Sequence, residues 1–183
     1  MQGQRQQATT TVEMVVEDGT IKLFNSRRIR RYTDVQDIKR LMDALCRHNV
    51  HVEEWIPKAG HAGKTFDLRI VGIAGEPRFI VGRMSRHPIT NLHLMNERCE
   101  TSGIRARLGA LRWEELLETC RRVMGLFPRC LYVAMDVLIR ADWQAHAVVE
   151  LNAFGELLQG IFENGEDTYG AQIAACRQPE VAA

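Results

Sequence analysis

Apolar and polar positions divide the chain into short elements. TVEMVVEDGTIKLFN holds two strand-like runs joined by Glu17-Asp18-Gly19, and an Asp-Gly pair between apolar runs predicts a tight β-hairpin. The preceding residues 1–10 are polar and read as a disordered, frayed end. Val35, Ile38, Leu41, Met42, Leu45 and Cys46 recur at three- and four-residue intervals, which predicts an amphipathic helix capped by Thr33 or Asp34 and ended by Asn49. HVEEWIPKAG reads as a short strand broken by Pro57. FDLRIVGIA and RFIVGRMS predict a second hairpin turning at Gly75-Glu76-Pro77, and HPITNLHLMNER reads as an extended loop. Residues 100–111 read as a basic loop with Arg105 and Arg107. In RWEELLETCRRVMGLF one apolar stripe predicts a helix that stops near Gly125 and Pro128. LYVAMDVLIR and HAVVELNAF flank the polar turn ADWQA as a third hairpin, and a short helix starts near Thr168. The order β-β-α-β-β-β-loop-α-β-β-α defines an α+β chain with mainly antiparallel sheet.

The third hairpin carries the strongest chemical signal. Asp136 interrupts its first strand and Glu150 its second. Asn152 follows Glu150 by two residues and so points to the same face. Neither run alternates cleanly, so both strands are expected to be buried on both faces. A carboxylate in such a place is costly unless something pairs with it. An acidic residue in a strand is most often a solvated one. Two carboxylates and an amide brought together by one hairpin instead form an oxygen-only cluster suited to Mg²⁺ or Mn²⁺.

Charges also punctuate the second hairpin. Arg69 lies two residues beyond Asp67 on the same strand face, and the plain expectation is a structural ion pair between them. Arg83 interrupts the apolar run IVGRM. Arg27, Arg28, Arg30 and Arg31 cluster in SRRIRRYTD, either as a solvated edge or as a grip for phosphate.

Composition narrows the class. The chain has 183 residues, 45% of them hydrophobic, enough for one sizeable core. A net charge of +1 gives no bulk electrostatic case for nucleic acid or an anionic membrane. No apolar run is long enough to span a bilayer, and the polar N-terminus is no signal peptide. Cys46, Cys99, Cys120, Cys130 and Cys176 are scattered, odd in number and lack a CxxC pair, which argues for reduced thiols in a cytoplasmic protein.

Four blocks in order, across Val52 to Gly160, resemble the ATP-grasp superfamily and, within it, the RimK-like ligases: VEEWIP, FDLRIVGIAG, VGRMSRHPITNLH, and AMDVLI with VVELNAFG. The resemblance implies an ATP-grasp-like fold and an ATP-dependent carboxylate–amine or carboxylate–thiol ligase working through an acyl phosphate. It implies that Asp136, Glu150 and Asn152 hold Mg²⁺ (or Mn²⁺), that Arg69 and Arg83 serve the transferring phosphate, and that Asn91 helps close the site. Adenine would meet the backbone of Trp55 and Ile56, with Glu53 or Glu54 reaching its amino group or the ribose. The implied partners are ATP, a small-molecule or peptide carboxylate, and an amine or thiol acceptor.

The chain also departs from that family. Where the family has a strand lysine and a glycine-rich loop, TIKLFNSRRIRR offers only Lys22 and a run of arginines. NAFGELLQG stands where Asn-x-x-Pro-Gly is often found. The family's N-terminal domain is not in this sequence, so the resemblance covers the C-terminal catalytic portion only. The expected organisation is a disordered 1–10, a remnant of the first ATP-grasp subdomain over 11–57, and the second subdomain over 58–183. A non-catalytic nucleotide-binding or assembly module is the competing expectation. Open sheet edges favour self-association into homo-oligomers.

Overall fold

The computed structural model describes residues 8–48, 54–90, 97–154 and 158–177. Backbone contacts divide the chain into two compact units, Met1–Trp55 and Ile56–Ala183.

In the first unit, β1 (Ala8–Glu17) pairs antiparallel with β2 (Thr20–Tyr32). The turn is Asp18-Gly19, both at positive φ (50° and 72°), as the Asp-Gly signal requires. β1 takes in Ala8–Thr10, which polarity alone reads as a frayed end; pairing with Arg30–Tyr32 of the longer partner strand holds them. α1 (Val35–Leu45) starts where Asp34 accepts hydrogen bonds from the backbone N–H groups of Gln36 and Asp37. Its buried positions are Leu41 and Ala44; Val35 and Met42 of the predicted stripe are exposed.

The second unit is built on an antiparallel sheet: β3 (Gly60–His61), β4 (Lys64–Ile73), β5 (Glu76–Ser85), β6 (Glu97–Cys99), β7 (Tyr132–Ile139) and β8 (His146–Asn152). The order is β6-β5-β4-β7-β8, with β3 also paired to β4. Pro57 does not interrupt a strand, because residues 54–57 are not in one; a single bridge, Lys58 to Arg140, ties this stretch to the sheet. The β4–β5 turn is at Ala74-Gly75, one residue earlier than predicted, so that Pro77 lies within β5. Glu97 and Arg98, read as loop, pair with β5 together with Cys99 as β6.

The stretch read as a basic loop is instead α2 (Ser102–Leu108), followed by α3 (Ala110–Gly125). Ile104 and Leu108, one helical turn apart, are buried and pin α2 although arginines surround them. Gly109, at φ 83°, makes the break that a residue with a β-carbon resists. α2 and α3 cover one face of the sheet, where Trp113, Leu116, Cys120 and Met124 pack on Phe66, Leu68, Ile70, Met135 and Val137. The opposite face is apolar only in part. There Ala171 and Ala175 of α4 (Thr168–Cys176) and Leu158 pack on Val71, Ile73, Phe79, Val81, Tyr132 and Ala134. The remainder of that face is charged.

β7 is buried along its whole length, as its pattern predicts. β8 is not. It is an edge strand, and Val149 and Leu151 are 42% and 40% exposed. An unbroken apolar run therefore overstates burial when a strand has a neighbour on one side only.

Candidate functional site

Strand register builds the charged face. Asp67 is paired with Arg83 across β4 and β5, and Arg69 with Asp136 across β4 and β7. Directly paired residues share a face, and so do residues two apart, so the four side chains converge. All are buried: Asp67 is 3% exposed, Arg83 6%, Asp136 7% and Arg69 8%.

Their contacts form one connected network. Arg69 Nη1 donates to Asp136 Oδ1 at 2.5 Å, and Arg83 Nη2 lies 2.9 Å from Asp136 Oδ2. Arg83 Nε donates to Asp67 Oδ1 at 2.7 Å. Lys58 Nζ reaches Asp67 Oδ2 at 3.0 Å and Thr90 Oγ1 at 2.6 Å, while Thr90 Oγ1 donates to Asp67 Oδ2. Three cations thus meet two carboxylates. Burial works against the Arg83 charge, but the Asp67 hydrogen bond and the charges of Asp67 and Asp136 outweigh it and raise its pKa. Arg69 Nε is buried without a hydrogen-bond partner. The expected Asp67–Arg69 pair does not form: each takes its partner from the neighbouring strand, because a residue directly opposite is closer than one two positions along the same strand.

The two carboxylates of the third hairpin face each other across β7 and β8, Asp136 opposite Glu150. A bulge fixes this. Val137 is paired with Val148 and Asp136 with Glu150, leaving Val149 as the extra residue. Val148 therefore packs toward the helices while Glu150 joins the charged face. Asn152 Nδ2 donates to Glu150 Oε1 at 3.1 Å, and Glu150 is exposed. No three His, Cys, Asp or Glu side chains among the described residues group to hold a metal ion. The oxygen donors at hand are those of Asp136, Glu150 and the Asn152 amide. They suit a hard cation by chemistry, but both Asp136 oxygens already accept arginine hydrogen bonds.

Of the adenine-side residues, Glu54 is exposed, Trp55 is 60% exposed and Ile56 is half-buried. Pro57 O accepts from Ala141 N at 3.0 Å, which fixes the chain just beyond them. Glu53 and Asn91 lie outside the described residues, as does the Arg27 side chain. Arg30 of the same cluster pairs with Glu13, and Lys22 with Glu17. Lys58 and Thr90 were not legible as members of the network. They lie nine and twenty-three residues from Asp67, in stretches without periodicity.

No helix among the described residues is long and apolar enough to cross a membrane. No protein-family model matches the sequence, and no curated protein matches it. Among solved structures the chain is similar to a Chryseobacterium gregarium RiPP-associated ATP-grasp ligase in complex with ADP and a leader and core peptide, with a TM-score of 0.48 and 15% sequence identity. The similarity covers 93% of this chain and 48% of that one, so this chain spans about half the length of that solved protein.

Proposed function

We propose that this chain carries the metal and nucleotide face of an ATP-grasp ligase of the RimK-like kind, joining a carboxylate to an amine or thiol through an acyl phosphate. The observation that supports this reading best is the pairing of Asp136 with Glu150 on the face where Arg69 and Arg83 converge. Phosphoryl transfer to a carboxylate asks for positioning and charge neutralisation and needs no protein nucleophile. A face holding oxygen donors beside two guanidiniums offers both.

In this reading Asp136, Glu150 and Asn152 hold Mg²⁺ or Mn²⁺, and the ion, when bound, neutralises phosphate charge. Arg69 and Arg83 receive the oxygens of the transferring phosphoryl group. Asp67, Lys58 and Thr90 hold Arg83 in place from behind. Glu53, Glu54, Trp55 and Ile56 serve the adenosine, and Asn91 the acceptor side. The substrate carboxylate attacks the terminal phosphorus and ADP leaves. The amine or thiol then displaces phosphate to give the amide or thioester.

Calorimetric titration with ATP, with and without Mg²⁺, tests this reading. Binding that needs Mg²⁺ and disappears when Asp136 and Glu150 are both changed to Ala supports it; equal binding by that double variant contradicts it. A non-catalytic nucleotide-binding or assembly module is the second reading. It is favoured by the pairing of Lys22 with Glu17 and by arginines where a glycine-rich loop would cover the phosphates. Mg-ATP binding without ADP release, across a panel of carboxylates and amines, would support it.

A further inference from the structure

The charged face sets the cation proposed above against two arginines. Asp136 is the inward carboxylate of the proposed metal set, yet each of its oxygens accepts from a different arginine. Arg83 is itself held by Asp67, and Arg69 keeps one buried N–H without a partner. A divalent ion arriving alone would compete with two guanidiniums for one carboxylate and meet their charge at short range. An anion arriving alone would find Asp136 already neutralising the arginines it needs.

We propose that Asp136 exchanges partners: Arg69 and Arg83 hold it in the resting protein, and a divalent cation takes it over only when a polyphosphate takes over the arginines. Cation and polyphosphate then bind interdependently, and each guards the site against the other's lone binding. Glu150 is the entry point, being exposed and directly opposite Asp136. Arg69 Nε, buried and without a partner, is a donor that gains an acceptor when the polyphosphate takes Arg69 from Asp136. This inference rests on the metal role proposed above for Asp136.

The test uses Mn²⁺ and inorganic tripolyphosphate with the full chain, following protein-bound Mn²⁺ by water proton relaxation and subtracting the same titration without protein. Tripolyphosphate should strengthen Mn²⁺ binding about tenfold or more, within the usual range of coupling between sites. Arg83→Gln should tighten the binding of Mn²⁺ alone and shrink that ratio. Mn²⁺ that binds equally well with and without tripolyphosphate, and equally in Arg83→Gln, overturns the exchange while leaving the metal reading intact. Mn²⁺ that binds under neither condition removes both. If Arg83→Gln does not fold, the arginine Nε–H resonances of the wild-type protein decide. They should stay in place with Mg²⁺ alone and shift when Mg²⁺ and tripolyphosphate are added together. Joint binding that leaves them unmoved overturns the exchange.

Discussion

Asp67 gathers Arg83, Lys58 and Thr90 on two oxygens at 3% exposure. Removing it strands buried positive charge, so Asp67→Ala should lose about 3–5 kcal/mol in chemical denaturation. Glu150→Ala, on the exposed edge, should change stability by no more than about 0.5 kcal/mol. The cysteines divide in the same way. Burial pushes the Cys120 thiol up to about 12, whereas Cys46 and Cys176 are exposed. A thiol reagent at neutral pH should therefore label Cys46 and Cys176 in the native protein and reach Cys120 only after unfolding. His146 lies with its Nε2 2.9 Å from Thr119 Oγ1. Burial lowers its pKa below 6.5, against the pull of Glu115 and with the push of Arg122. The unfolded chain therefore takes up a proton first, and the stability His146 lends above pH 6.5 is lost as the pH falls below that value. His146→Gln should flatten that part of the stability–pH profile measured by denaturation.

At the scale of elements, the bulge in β8 separates what the pattern showed from what it could not. A local hairpin is legible because its two strands are close in sequence, but the facing of Asp136 and Glu150 depends on the bulge, since the register that pairs Val137 with Val148 would otherwise set Val149 opposite Asp136. The extra residue at Val149 is not legible, since VVEL reads as a plain apolar run. Deleting Val149 should turn the bulge into a regular ladder and keep Val148 and Glu150 on opposite faces. The expected cost is about 1 kcal/mol or less in thermal or chemical unfolding, because the ladder loses no pair. α2 escaped the sequence reading for the opposite reason: only Ile104 and Leu108 mark it, and the arginines around them look like loop. Helix α3 and strand β7 were plain because long, strongly apolar stripes leave few alternatives.

At the scale of the whole molecule, the second unit has one sheet with two unlike faces, one closed by α2 and α3, the other shared between α4 and a buried ionic network. The sequence could mark Asp67, Arg69, Arg83 and Asp136 as charges out of place in apolar strands. It could not pair them, because Arg69 and Asp136 stand sixty-seven residues apart and only the β4–β7 register brings them together. We propose above that this face receives a metal-bound nucleotide. A crystal of the protein grown with Mn²⁺ and a non-hydrolysable ATP analogue tests it most directly, through the anomalous signal of the ion. A peak is expected within coordination distance of the Asp136 and Glu150 carboxylates, with the analogue's phosphates against Arg69 and Arg83. An analogue bound elsewhere, or a charged face unchanged with Asp136 still held by both arginines, would contradict it.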